Sequence, residues 1–316
     1  MIARPTVSVV ICAYTELRWN DLLAAIESCA QQTVAALETI VVVDHNPGLL
    51  QRLCSEAPQV KAVENGEERG LSGARNSGIA VARGEVVAFL DDDATAAPDW
   101  LEQLTVPYAD EAVIGVGGFV DPVWPRRQRP AALPPEFDWV VGCSYRGLPE
   151  TTAPVRNMIG ANMSLRRSVF ADVGGFRSGM GRIGTRPLGC EETELCIRAR
   201  RWFPAAVILF EPRARVRHRV TLERTGWRYF RSRCYAEGLS KAAVSDRAGS
   251  RDGLASERAY ALRTLPSGVL RGLADTLTLR DIAGVVRGFA IVAGLLVTAT
   301  GYLVGTLAGG PELGGE

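Results

Sequence analysis

Residues 69–94 read RGLSGARNSGIAVARGEVVAFLDDDA, and the change of texture along them decides the fold class. A glycine-rich turn leads into residues 72–83, whose apolar spacing predicts a helix. Residues 84–93, GEVVAFLDDD, are an apolar run that stops abruptly at three acids. A short continuous run bounded by turn residues predicts a strand buried on both faces. The signature recurs upstream in VSVVICA (7–13), ETIVVVD (38–44) and QVKAVEN (59–65), with helical spacing over 21–31. Strands alternating with helices of about ten residues predict an α/β protein, a mostly parallel sheet flanked by helices.

Beyond residue 120 the texture changes. Residues 121–135 carry Pro122, Pro125, Pro130, Pro134 and Pro135, which predicts a loop or flap. A helix is expected over about 190–203, a buried strand at 205–210, a short basic one at 215–220, and amphipathic helix from Thr225 to about 280. From Gly288 to Pro311 run 24 residues without a charge. Roughly 20 apolar residues cross a hydrocarbon core, and glycine is tolerated at packed interfaces in lipid. A membrane anchor is therefore expected, with a core or dimer-forming helix as the alternative, so a homodimer stays open. Arg280 and Arg287 precede the run and only Glu312 and Glu316 follow it. The positive-inside tendency then predicts a cytoplasmic location on the membrane face.

Composition excludes several classes. Apolar residues make up 47% and charged residues 22%, as in a globular chain. The net charge of +1 argues against a general nucleic-acid binder. Between Arg198 and Arg233, however, eleven arginines face two acids, Glu211 and Glu223, a density that suits anionic lipid or a diphosphate. The seven cysteines are odd in number and form no CxxC pair, which predicts reduced core thiols in a cytosolic compartment. The apolar N-terminus reads as a buried first strand rather than a secretion signal.

The acids locate the chemistry. Asp91, Asp92 and Asp93 repel one another at a strand end, and such ends line the ligand crevice of open α/β sheets. A divalent cation carrying phosphate oxygens satisfies both facts; a solvated acidic turn is the plain alternative. Asp44 ends a second strand at the same edge, where it suits a ribose or base, or merely a turn. Tyr14 and Glu16 close the first strand there. Neither GxGxxG after that strand nor a P-loop occurs, so a dinucleotide site is not expected. Arg75 could face a phosphate or a base, or sit in an ordinary turn. In GCEETELCIR (189–198), Glu192 shares a helical face with Leu195 and Cys196 and is placed inward, as a general base or a helix-dipole acid. Glu194 and Arg198 suit a surface ion pair. Strand alternation turns His218 inward, with Arg217 and Arg219 outward.

These stretches, VSVVICAYTE, IVVVDHN, RGLSGARNSGIAVARGEVVAFLDDDA, GANMSLRRSVFADVGGF and GCEETELCIRAR, together resemble the family 2 glycosyltransferases with their GT-A fold. The resemblance covers roughly residues 5–220. It implies a hexosyltransferase-like enzyme that moves a sugar from a nucleotide-diphosphate donor with inversion, using Mg2+ or Mn2+. It implies that Tyr14, Glu16, Asp44, Arg75, Asp91 and Asp92 bind the nucleotide sugar and that Asp91, Asp93 and His218 hold the metal. Glu192 falls on the second acid of the Glu-Asp motif, the base that deprotonates the acceptor hydroxyl, although it is one methylene longer than the usual Asp. Asn162 and Glu191 are expected on the acceptor side, facing a saccharide or lipid-linked acceptor. Residues 121–155 and 158–183 are expected to shape that pocket. The Gln-x-x-Arg-Trp motif of processive synthases is absent, YFRSRCYAEG standing in its place, which implies transfer of one sugar.

The domain expectation is a catalytic domain over 1–223, with a nucleotide half to about 120 and an acceptor half beyond, then an amphipathic region (224–281) and a hydrophobic helix (282–310). Two other readings stand beside it. A sugar nucleotidyltransferase also uses strand-end acids and metal, and a non-catalytic membrane-associated protein could retain the fold.

Overall fold

A computed structural model describes residues 4–178, 189–248, 258, 260–278 and 281–308. They fall into two compact units: residues 4–121, 149–178 and 191–218 form the first, and residues 122–148, 189–190 and 219–308 the second.

The first unit is α/β. Its parallel strands are β1 (Val7–Ala13), β2 (Glu38–Val43), β3 (Lys61–Glu64) and β4 (Val86–Asp91). Between them come helices α1 (Trp19–Ala30), α2 (Pro47–Glu56) and α3 (Leu71–Val81). Helix α2 was not among the expected elements, although its signal is local: Asn46 caps it by accepting from the Leu49 amide, 3.1 Å, and Pro47 stands at its start. Then follow β5 (Ala94–Ala96), α4 (Trp100–Thr105), β6 (Val113–Val123), β7 (Ala153–Pro154), β8 (Asn162–Arg166), α5 (Arg167–Val173), α6 (Glu191–Trp202) and β9 (Val207–Arg219). The sheet order is β3-β2-β1-β4-β8-β6-β9-β5, with β7 also on β9. The parallel run β3-β2-β1-β4 is thus extended by antiparallel pairs beginning at β4–β8.

Val10, Val42, Val87, Phe89, Met163 and Leu165 form the core under this sheet. Phe89 meets Phe170 and Phe176 edge-on, with centroids 6.3 and 5.5 Å apart. Gly78 is required where α3 crosses the sheet, since a Cβ there would stand 2.5 Å from Val10 Cγ1. The two strands expected at 205–210 and 215–220 are one strand, β9. Glu211 does not break it, because its buried carboxylate accepts from Arg213 Nε at 2.8 Å and from Thr152 Oγ1 at 2.6 Å.

The second unit is helical: α7 (Trp227–Ala248), α8 (Leu265–Leu277) and α9 (Gly284–Leu307), with a π turn at Tyr260–Thr264. Its core joins Leu133, Phe137 and Val140 to Phe230, Cys234 and Ile291. Residues 122–148 therefore cluster with the C-terminal helices and not with the 1–223 domain expected of them. The regions expected separately at 224–281 and 282–310 share one core, because apolar side chains from both bury one another. Residues 179–183 of the expected acceptor segment, and Arg280, Glu312 and Glu316, lie outside the described residues.

Glycine decides how the helices meet. A Cβ on Gly272 would fall 2.3 Å from the Gly284 carbonyl oxygen, and one on Gly301 would fall 2.2 Å from that of Tyr235. Backbone thus lies on backbone between α8 and α9 and between α7 and α9. By length and composition α9 could cross a membrane.

Candidate active site

Each parallel strand delivers its last residues to one edge of the sheet. Strand β4 ends at Asp91, and a two-residue turn, Asp92–Asp93, leads into β5. β5 then pairs antiparallel with β9, in a register that sets Ala94 opposite His218. A histidine 125 positions away from Asp93 in the chain is thereby placed beside it. His218 Nε2 lies 3.1 Å from Asp93 Oδ1 and 4.0 Å from Asp91 Oδ2. One ligand atom from each of Asp91, Asp93 and His218 can be chosen so that all lie within 4.8 Å of one another. The alternation expected of β9 is observed, with Arg213, Arg215, Arg217 and Arg219 exposed and Ala214, Val216 and His218 buried. The outward arginines are partly neutralised: Arg213 pairs with Glu211, and Arg215 with Asp121 at 2.5 Å.

The counter-charge that the acid triplet demanded is Arg18, which the sequence reading did not single out. Its Nη1 donates to Asp92 Oδ1 at 2.8 Å and lies 3.0 Å from Asp93 Oδ2. The guanidinium also stands 5.7 Å from the centroid of the Tyr14 ring. Repulsion among three adjacent acids was the signal, and Arg18 lies four residues beyond Tyr14. Asp92 is buried, and its Oδ2 has no hydrogen-bond partner among the described residues. Burial, with the Asp93 charge next in weight, raises the Asp92 carboxyl well above the usual carboxylate range, against the pull of Arg18.

Arg75 is 2% exposed and spends its donors inside the protein. Nη1 donates to Glu191 Oε1 at 2.8 Å and Nη2 to the Gly160 carbonyl at 3.2 Å, while Asp91 Oδ1 lies 3.8 Å from Nη2. Phe176 covers its guanidinium, which stands 5.2 Å from the ring centroid. Arg75 thus ties the first turn of α6 to the end of β4.

The helical reading of α6 needs correction. Glu191 is the buried acid and Glu192 the half-buried one, the reverse of the expectation. A carboxylate goes inside where a partner meets it, and Arg75 meets Glu191. Glu192 follows at the second position of the helix, with Thr193 Oγ1 3.5 Å from its Oε1. Glu194 and Arg198 do pair, at 2.8 Å, but as a part-buried link in which Glu194 is the buried partner. Arg198 also donates to the carbonyls of Val173 and Gly175.

The remaining expected residues divide. Tyr14 and Glu16 are exposed beyond β1, with Glu16 3.9 Å from Arg52. Asp44 directly follows β2 with both oxygens engaged: Oδ1 accepts from Asn65 Nδ2 at 2.6 Å and Oδ2 from the Gly70 amide at 3.0 Å. Gly70 adopts φ 129°, a backbone that only glycine takes without strain. Asn162, expected on the acceptor side, is fully buried. Its amide donates to the carbonyls of Phe119 and Ala214 and accepts from Trp100 Nε1 at 2.8 Å. Both amide hydrogens are spent on the sheet, so its task there is structural.

The donor set fits a divalent cation. Two carboxylates and an imidazole are ligands that Mn2+ accepts, and Mg2+ shares the carboxylates. Around this cluster Arg18 and Arg75 are the cations that meet Asp91, Asp92, Asp93 and Glu191.

The model of "Glycosyl transferase family 2" matches residues 8–174. The chain belongs to this family. It is 38% identical over 242 residues, 75% of this chain and 77% of the relative, to a glucosyl-dolichyl phosphate glucuronosyltransferase of Haloferax volcanii. Two solved structures share the fold. The mannosyltransferase PcManGT from Pyrobaculum calidifontis, in complex with GDP-Man and Mn2+, superposes with a TM-score of 0.57 at 17% identity, over 94% of this chain and 88% of that one. GalNAc-T7 with UDP, GalNAc and Mn2+ gives 0.55 at 19% identity, over 78% and 51%. The family 2 chain is thus a nucleotide-sugar-dependent glycosyltransferase with a metal site of the Asp-x-Asp type at residues 91–93.

Proposed function

We propose that the chain transfers one sugar, with inversion, to a hydroxyl of a lipid-linked or cell-envelope saccharide on the cytoplasmic face of a membrane. The observation that carries the reading is the cluster of Asp91, Asp93 and His218, with Glu192 on a helix tied to it through Arg75 and Glu191. Tyr14, Glu16 and Asp44, at the ends of β1 and β2, bind the nucleoside. Asp91, Asp93 and His218 would hold Mn2+ or Mg2+, which would supply positive charge against the departing diphosphate. Arg18 holds Asp92 and Asp93 in place. Glu192 takes the proton of the acceptor hydroxyl as its oxygen bonds to the anomeric carbon. The bond from that carbon to the phosphate oxygen breaks on the opposite face, and nucleoside diphosphate leaves. The transition state is oxocarbenium-like, as in glycoside hydrolysis.

A lipid-linked acceptor is supported by the printed name of the Haloferax relative, and membrane association by the length and apolarity of α9. The test is a panel of nucleotide sugars incubated with Mn2+ and assayed for slow donor hydrolysis. Release of nucleoside diphosphate from one donor is expected. Pyrophosphate formed from a sugar phosphate and a nucleoside triphosphate would instead identify a nucleotidyltransferase. Absence of turnover with every donor, acceptor lipid included, would leave a binding protein.

A further inference from the structure

We infer that the second unit seats on an anionic lipid surface with α9 lying in the plane of the interface, and does not thread α9 across the bilayer. The inference rests on the membrane association proposed above and specifies its geometry. At 24 residues α9 is about 36 Å long, so length alone permits a span. What surrounds it does not. One side carries Phe289, Val292, Leu296, Leu303 and Leu307, all exposed, a single stripe at the spacing of an amphipathic helix. The other side is packed against protein. A Cβ on Gly294 would meet Phe137 and Phe230, and one on Gly305 would meet Ala242.

Helix α7 therefore runs beside α9 and in the same direction, from Phe230 opposite Gly294 to Ala242 opposite Gly305. Between these levels α7 carries Arg231, Arg233, Glu237 and Lys241. Arg233 and Lys241 pair with Glu237 at 3.0 and 3.1 Å, and Arg231 is exposed. A spanning α9 would draw all four into hydrocarbon, where charged side chains are rare and costly. Lying flat removes the conflict: the stripe enters the acyl boundary while the charges of α7 stay at headgroup level.

The start of α7 shows which lipid suits this pose. Trp227 is half-exposed and stacked on the exposed Phe289, with ring centroids 6.4 Å apart at 28°. Arg228 is the next residue and Arg231 lies one turn on, both exposed. An aromatic pair beside two arginines is the composition of a membrane–water boundary. It favours anionic headgroups over a second copy of the chain, whose arginines would repel these across a two-fold axis.

Deleting α9 would not test this, because Ile291 belongs to the core around Phe137 and Phe230. The test uses the full chain with Cys54, the exposed cysteine, replaced by Ser. Single cysteines at Phe289→Cys, Leu296→Cys and Leu303→Cys carry a fluorophore, read against lipids spin-labelled near the headgroup or near the chain end. The vesicles are phosphatidylcholine with or without phosphatidylglycerol. The three probes span about 21 Å of helix; equal quenching at shallow depth is expected from all of them. Leu296 deepest, with the other two shallower, would mean a span and overturn the inference while leaving membrane association intact. No vesicle binding, with or without self-association in sedimentation, would overturn both, and nucleotide-sugar turnover would still stand. Arg228→Gln with Arg231→Gln should weaken binding to anionic vesicles about thirtyfold. Phe289→Ser with Leu296→Gln should weaken it at least about a hundredfold.

Discussion

The two units depart from the rule of inside and outside most visibly at different places. The first buries charge: Arg75, Glu191, Glu194, Asp92, Asp93 and His218 are all nearly inaccessible. The second exposes apolar side chains: Phe289 is 67% and Leu296 62% exposed on a helix whose other side is packed. Buried charge is tolerated only where partners meet it, and exposed apolar stripes persist where another phase covers them. The buried charges of the first unit include the Asp93–His218 cluster, and the exposed apolar side chains of the second lie along one side of α9.

The sharpest way to break this comparison is Asp93→Ala. It removes one metal ligand and one partner of Arg18, whose guanidinium keeps Asp92, so the fold should survive. Metal-dependent turnover should fall by about a thousandfold or more, since a bound metal supplies several kcal/mol to charge stabilisation. Unchanged turnover with ordinary metal dependence would dismiss the cluster as a metal site.

Next in size is Glu192→Gln, which keeps shape but cannot take a proton. A loss of about a hundredfold to ten-thousandfold in kcat is expected, with donor binding by calorimetry unaltered. A loss under about tenfold would assign Glu192 to structure alone.

Glu191→Gln tests the buried pair itself. It leaves Arg75 charged, buried and short of its nearest counter-ion, and breaking such pairs costs about 3–5 kcal/mol. Urea denaturation should show the loss, and kcat should fall with it because the first turn of α6 loses its tie to β4. A midpoint unmoved by Glu191→Gln would mean that Arg75 finds equal support from Asp91. The smallest effect belongs to the second unit: Leu296→Gln should alter stability by no more than about 0.5 kcal/mol and leave turnover of a water-soluble acceptor unchanged. A large loss of stability there would mean that the stripe is core after all.

What was legible followed from local pattern. Strands β1, β2 and β4, the turn before α3 and the acids at 91–93 each declare themselves within about ten residues, through continuous apolar runs, glycine and clustered charge. Alternation along 213–219 turned His218 inward for the same reason, since period two is a property of the strand itself. What the inward side chain met was another matter. His218 reaches Asp93 only through the pairing of β9 with β5, and that register is not written near either residue.

The choice between Glu191 and Glu192 shows the limit most clearly. Both stand in the first turn of α6 beside apolar neighbours, and helical periodicity favoured Glu192 as the inward one. The position of Arg75, 116 residues earlier, reversed that order, because burial of a carboxylate is decided by its counter-ion and not by its own helix. Arg18 and Asn162 were settled in the same way, by partners far off in the chain. The sequence by itself determined the parallel half of the sheet, the acid edge and the apolar length of α9, all of them products of short-range periodicity. Tertiary structure alone decided which charges were paired, which of two glutamates was left half-open, and that α9 lies beside the charged helix α7, because each depends on contacts between residues far apart in the chain.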